Sequence, residues 1–292
     1  MVIVWGEVLW DRFPEGDELG GAPANAAWHL AGLGTPVALA TRIGDDADGA
    51  RARDRLAARG VDVTLVQVDP TRATGEVTVT VEAGEPRYRL TAGRAWEAIA
   101  ATDDVLAALP GARAIVYGTL AQRTPAGREA LGSVLAAASP RVLRVCDPNL
   151  RGGIASADDD RALHDALTAA DVVKLNHREV DAIAARLGHA DPVAWLLARG
   201  ARLVAVTRGA DGSTWHAPGR VDVVPAIAAA PGGDNVGCGD AYLAALVHGL
   251  LAGWPWPRIG RLAAALGAAV ASARGATPTI DHAALIAAVE RG

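Results

Sequence analysis

The stretch Pro231-Gly232-Gly233-Asp234-Asn235-Val236-Gly237-Cys238-Gly239-Asp240 runs straight into Ala241-Tyr242-Leu243-Ala244-Ala245-Leu246-Val247-His248-Gly249-Leu250-Leu251. Leu243, Leu246, Val247, Leu250 and Leu251 recur at helical spacing, which predicts a glycine-rich turn opening a buried helix. The first N–H groups of such a helix lack intrahelical partners and would point at an anion. Asp240 is the odd member, because a carboxylate there suits the helix dipole but repels a phosphate unless it faces something else, such as a substrate hydroxyl. Taken alone, Asp240 reads equally as a helix cap and as a catalytic base.

Two further segments bear on that choice. Gly20-Gly21-Ala22-Pro23-Ala24-Asn25 puts two glycines before a proline-started helix, with polar Asn25 facing back toward the turn. Val206-Thr207-Arg208-Gly209-Ala210-Asp211-Gly212 forms a T-x-G-x-x-G turn able to approach a nucleotide closely. Other chemistries fail. A Walker loop needs G-x-x-x-x-G-K-[ST], yet Lys174, the only lysine, follows Val172-Val173 at the end of a strand. The dinucleotide pattern G-x-G-x-x-G breaks at Val37 after Gly32-Leu33-Gly34 and at Tyr242 after Gly237-Cys238-Gly239. No serine has glycine two residues before it, so a nucleophile elbow is absent.

The elements that must position these groups are legible as a rhythm. Val2–Trp5, Val37–Thr41, Ala114–Tyr117, Val142–Cys146, Val172–Leu175 and Leu203–Thr207 read as strands. Helical patterns at 23–33, 46–59, 124–138, 158–169 and 176–187 lie between them, and 239–252, 257–274 and 281–290 follow. This predicts a mostly parallel sheet with helices on both faces. Residues 62–91 depart from it: Val77–Val81 and Tyr88–Leu90 alternate around Glu82-Ala83-Gly84-Glu85-Pro86, a hairpin with one wet face. With residues 9–19 it is expected to form a small lid, spanning about 9–19 and 62–98, on a single domain of residues 1–292.

The chain has 292 residues, 51% hydrophobic and 21% charged, and carries a net charge of −5. Its basic residues are scattered, which argues against nucleic acid as the main partner. Cys146 and Cys238 have neither disulfide nor zinc spacing, so a reducing cytoplasm fits best. The start carries Glu7 and Asp11 and does not read as a signal peptide. The charge-free run between Arg261 and Arg274 is too short to span a bilayer, so no membrane partner is expected.

Taken together, the segments resemble the ribokinase-like (PfkB) carbohydrate kinases over nearly the whole chain. Gly20-Gly21 with Asn25 is similar to that family's N-terminal signature, and Asp234 through Asp240 to its C-terminal D-T-x-G-x-G-D. Asp147-Pro148-Asn149-Leu150-Arg151 and Asn176-His177-Arg178-Glu179 resemble its D-P-N-x-R and N-x-x-E stretches. The resemblance implies a three-layer α/β/α sandwich with a β lid over a sugar, and ATP on the C-terminal side. It makes Asp240 the general base and Gly237, Cys238 and Gly239 the anion hole. Thr207, Gly209, Gly212 and Asn176 would serve the nucleotide, and Asn176 with Glu179 would organise Mg2+ through water. Asn235 stands where the family usually has Thr, and Cys238 is read as a small buried bystander with no redox role.

Gly6-Glu7-Val8-Leu9-Trp10-Asp11, Gly118-Thr119-Leu120-Ala121-Gln122-Arg123 and Ala95-Trp96-Glu97-Ala98-Ile99 look like bacterial fructokinases within that family. Asp11, Gly21 and Asn25 would then hold sugar hydroxyls, with Gln122 and Trp96 lining the site; Trp96 reads equally as lid packing. D-Fructose is the acceptor expected. A 2-keto-3-deoxygluconate kinase with Arg151 on the carboxylate, a nucleoside kinase and a sugar-sensing protein without catalysis are the alternatives. Gly275-Ala276-Thr277-Pro278-Thr279 resembles the loop with which many relatives hold K+, so Asp234, Val236, Ala273, Gly275 and Thr279 would enclose one, the alternative being a plain helix-ending loop. Two copies are expected to pair through the lid.

Overall fold

Four consecutive apolar residues, Val2–Trp5, open the chain as a strand. Successive side chains of a strand point to opposite faces, so all four are buried only where both faces of the sheet are covered. The computed structural model, which describes residues 1–14, 16–82, 85–150 and 156–290, has that arrangement. Its strands are β1 Val2–Trp5, β2 Leu9–Phe13, β3 Gly16–Gly20, β4 Val37–Gly44, β5 Val66–Asp69, β6 Gly75–Glu82, β7 Glu85–Leu90, β8 Ala114–Tyr117, β9 Leu143–Cys146, β10 Val172–Asn176, β11 Leu203–Thr207, β12 Ser213–Ala217 and β13 Arg220–Val224. Its α-helices are α1 Ala22–Gly32, α2 Ala47–Arg59, α3 Asp103–Ala108, α4 Pro125–Ala137, α5 Ala157–Thr168, α6 His177–Leu187, α7 Pro192–Ala198, α8 Cys238–Leu251, α9 Trp256–Ala271 and α10 His282–Glu290.

One sheet has the order β13-β12-β11-β10-β9-β8-β1-β4-β5. From β11 to β5 every pairing is parallel, while β12 and β13 form an antiparallel edge. Val2 and Val4 of β1 join a core with α1, α2, α8 and α9, whereas Ile3 and Trp5 join one with α4, α5, α6 and α7. Three layers follow. Each fully buried side chain such as Ile3 or Leu39 contributes roughly 1.5–3 kcal/mol, so these two cores clamp the strands whose C-terminal ends carry the site. Among the described residues no helix is long and apolar enough to cross a membrane.

A second sheet, ordered β3-β2-β6-β7, stands apart from the first. Its β2 and β6 run parallel, with Asp11 in register with Val77 and, across the other edge, with Glu18. Trp10 Nε1 donates to the Asp48 carbonyl at 3.1 Å, and Arg12 pairs with Asp17, Asp48 and Glu76, so β2 is pinned to α2. The strand and helix expectations correspond to these elements to within a few residues. The hairpin β12–β13 was not among them: Val221 and Val223 are 61% and 73% exposed on the sheet's edge, which inverts the pattern that marks a buried strand. The short helices α3 and α7 were likewise not expected, because six or seven residues carry too little periodicity.

Candidate active site

In an open parallel sheet the crevice beyond the C-terminal strand ends is where ligands bind. Here the turns after β1, β8, β9, β10 and β11 bring Glu7, Gly118–Thr119, Asp147–Leu150, Asn176 and Thr207–Gly212 to that edge. Two cavities lie along it. The smaller, about 220 Å3, is walled by Glu7, Pro23, Thr119 and Asp147. The larger, about 810 Å3, is walled by Lys174, Asn176, Thr207, Gly209, Gly212 and Gly237–Gly239, and falls within the range of roughly 300–1,000 Å3 typical of cofactor pockets. Asn149 and Asp240 line both.

Asp240 sits in the first turn of α8, a helix with Ala241–Val247 all buried between α1 and α9. Asn25 of α1 donates from Nδ2 to Asp240 Oδ2 at 2.8 Å, both side chains being buried. Asn25 Oδ1 is buried and has no hydrogen-bond partner among the described residues. The approach of α1 to β1 depends on glycine. Gly21, the N-cap of α1, has φ +99, and a Cβ there would lie 2.5 Å from the Glu7 carbonyl oxygen. On Gly20 it would meet Asp11 Oδ2 at 2.4 Å, so the Asp11 carboxylate lies directly over the glycine pair.

The turn before α8 is fastened to the loop after α9. Asp234 accepts from Val236 N at 3.0 Å and from Gly275 N at 2.8 Å, and its own N–H donates to the Ala273 carbonyl at 3.2 Å. Asn235 has φ +61, in the left-handed region that Asn tolerates far better than a β-branched residue. Gly237, the N-cap, has φ +74 and packs against Ala276. Thr279 is exposed and the structure gives it no bond to Asp234 or its neighbours.

Asn176 caps α6 in a reciprocal box: its Oδ1 accepts from Glu179 N at 3.0 Å, while Glu179 Oε2 accepts from Asn176 N at 2.7 Å. Glu179 Oε1 accepts from Leu150 N at 2.8 Å. Burial, with the charge of Asp147, pushes the Glu179 carboxyl up to about 7 against the pull of Lys174 and these N–H donors. Lys174 Nζ is 2.8 Å from Asp147 Oδ2. Burial opposes its charge, but Asp147, Glu179 and Asp240 outweigh that and hold the ammonium above its ordinary pKa. Burial raises the Cys238 thiol, which is consistent with an unreactive group.

The sequence profile of the pfkB family carbohydrate kinases matches residues 16–283. The chain belongs to that family. A fructokinase from Klebsiella pneumoniae is 29% identical, the match covering 85% of this chain and 84% of that one. An ATP-dependent ribose-1-phosphate kinase from Halopiger xanaduensis is 30% identical over 96% of this chain and 95% of its own. The crystal structure of an uncharacterised sugar kinase from Pyrococcus horikoshii in complex with ATP superposes with a TM-score of 0.82 at 25% identity, covering 95% of this chain and 94% of that one.

Against the pfkB signatures, the structure brings together Asp11, Gly21, Asn25 and Gly237–Asp240 on one side and Asn176, Glu179, Thr207, Gly209 and Gly212 on the other. Asp11, Gly21, Asn25, Trp96 and Gln122 line neither cavity. Trp96 is 2% exposed and packed under Gly75, in keeping with the lid-packing reading, and Gln122 turns its amide back onto the Gly118 carbonyl. Arg151 lies outside the described residues. Lys174, Asp147 and Asn149 are among the lining residues to which sequence reasoning gave no role. Their signals were a sole lysine two residues before Asn176 and the D-P-N stretch itself, with Asn149 at φ +46.

Proposed function

We propose that this chain is an ATP-dependent sugar kinase that phosphorylates D-fructose on its primary 6-hydroxyl. The observation that carries the reading is the meeting of a small and a large cavity at Asp240, whose carboxylate Asn25 holds. The small cavity takes the acceptor, the large one takes ATP, a ligand with which the Pyrococcus relative was crystallised, and the second sheet serves as the lid of a single kinase domain. The acceptor oxygen forms a bond to the γ-phosphorus as the bond from that phosphorus to the β–γ bridging oxygen breaks. The electron pair leaves with ADP and the hydroxyl proton passes to Asp240. N–H groups of Gly237, Cys238 and Gly239 stabilise the moving phosphoryl. Lid closure excludes water and limits ATP hydrolysis.

Among the described residues no three acidic, histidine or cysteine side chains converge on a metal. The hard oxygens of Asn176 and Glu179 therefore suit Mg2+ held through water, a mode that ion favours. Mg2+, when bound, neutralises phosphate charge. The loops joined by Asp234 support a K+ site built from carbonyls of Asp234, Val236, Ala273 and Gly275 with the Thr279 hydroxyl.

Fructose is supported by the Klebsiella fructokinase and by a carboxylate at Asp11 beside the glycine pair. A second reading, an anionic sugar, is favoured by Arg123 and Arg186 in the smaller cavity's wall and by the ribose-1-phosphate kinase relative. Coupled ADP release over fructose, 2-keto-3-deoxygluconate and ribose 1-phosphate tests it. Fructose should give the highest kcat/KM; an anionic sugar tenfold or more above it, about 1.4 kcal/mol in the transition state, overturns the acceptor while leaving the kinase. Equal rates in potassium and tetramethylammonium salts count against K+.

A further inference from the structure

We propose that Lys174 is a catalytic residue whose ammonium contacts the γ-phosphoryl of ATP during transfer, an inference that rests on the kinase reading above. It is the only lysine of the chain and 5% exposed, a position in which a long cationic side chain is rare unless paired. The pairing exists, with Asp147 Oδ2 at 2.8 Å. An ammonium has three donors, and among the described residues Asp147 is its only hydrogen-bond partner. Among the described residues its other two donors have no acceptor. Lys174 also lines the larger cavity with Gly237, Gly239 and Asp240.

A Cβ on Gly239 would sit 2.9 Å from Lys174 Nζ, so the ammonium lies beside the first turn of α8, whose first backbone N–H groups have no intrahelical partner. The charge balance points the same way. Asp147, Glu179 and Asp240 all favour the charged form of Lys174 at this junction. Helix N–H groups supply only partial charge. A polyphosphate needs a full positive charge near its transferred end, and Lys174 is the buried cation that lines this cavity.

In the step itself Lys174 keeps its proton. It donates hydrogen bonds to non-bridging oxygens of the phosphoryl while the acceptor oxygen bonds to phosphorus, the β–γ bridging oxygen departs with its electron pair, and Asp240 takes the hydroxyl proton. The competing account makes Lys174 only a counter-ion for Asp147. The two accounts separate in nucleotide binding without sugar, which does not depend on the acceptor. ADP lacks the group Lys174 is proposed to touch.

Calorimetric affinities for ATP and ADP in excess Mg2+ should show wild type preferring ATP and Lys174→Met losing that preference by about tenfold or more, with ADP binding changed less than threefold, since a hydrogen bond to a charged group is at stake. Because Lys174→Met leaves a buried carboxylate unpaired, the double variant Lys174→Met/Asp147→Asn, which replaces the ion pair by neutral groups, is measured beside it. Removing the Asp147 charge alone would favour a polyphosphate, so loss of ATP preference in the double variant comes from Lys174. A double variant with the wild-type preference, equal weakening of ATP and ADP, or a wild type without preference overturns the proposal. Failure of the fructose reading would appear instead as absent fructose turnover with the nucleotide preference intact.

Discussion

Asn25 and Asp240 come from opposite ends of the chain and share a buried 2.8 Å hydrogen bond, which fixes the carboxylate that the kinase reading makes the base. Asp240→Asn should lower kcat by roughly 10²–10⁴-fold, the usual contribution of a positioned base, while fructose and ATP still bind. Asn25→Ala acts through orientation, so kcat should fall less than in Asp240→Asn; steady-state kinetics of the two variants reads the difference. Unchanged turnover in Asp240→Asn removes the residue from the mechanism. These residues were legible because their motifs place polar groups at glycine-rich helix starts. The orientation of Trp96 and Gln122 was not legible, because a sequence gives the element a side chain sits on but not the way it turns. Lys174 escaped because it lies beside Gly239, a contact across two strand-to-helix turns that no local pattern encodes.

At the scale of elements, the site exists because α1 starts hard against the exit of β1. Gly6 and Gly21 both have positive φ, at +149 and +99, and both lack room for a Cβ, against Pro23 and the Glu7 carbonyl. Gly21→Ala should therefore destabilise the protein by about 1–3 kcal/mol or more, combining backbone strain with a clash against main chain that cannot rotate away. Denaturant unfolding checks this, and a midpoint equal to wild type would show that α1 can retreat at no cost. The parallel strands and flanking helices were readable because burial on two faces makes near-continuous apolar runs of distinct lengths. The β12–β13 edge was not, since its exposed valines follow the opposite pattern. The capping box at Asn176 and Glu179 satisfies the same spacing as N-x-x-E, so one motif serves helix initiation and, in the proposed function, the metal.

Across the whole molecule, a buried chain of hydrogen bonds ties α2, α10 and α1 to the loop that supports the α8 turn. His29 Nε2 is 2.9 Å from the Ala276 carbonyl, which can only accept, so the proton is on Nε2. Nδ1 is then bare and lies 3.3 Å from His282 Nε2, while His282 Nδ1 lies 2.9 Å from the Ile280 carbonyl and 3.0 Å from Arg59 Nη2. Ala276 packs on Gly237, so the chain ends beneath the proposed anion hole. Burial lowers the pKa of His29 to about 4, helped by His282 and Arg59 and opposed by the Ala276 bond. A depressed histidine means that the unfolded chain binds a proton the fold refuses, so stability is unaffected above an ordinary histidine pKa and falls as pH drops from about 6.5 toward 4. The loss reaches roughly 3 kcal/mol at the lower end, from about 1.4 kcal/mol per pH unit. Depressed carboxylates such as Asp46 and Asp159 act only lower, and Glu179 pulls the other way, gaining protons in the fold below about 7. His29→Asn keeps an amide donor for Ala276 but cannot titrate, which isolates the term. Unfolding free energies at pH 7 and pH 5 should fall more steeply in wild type than in His29→Asn by about 1–2 kcal/mol. Equal slopes would mean that the His29 pocket relaxes to admit the proton.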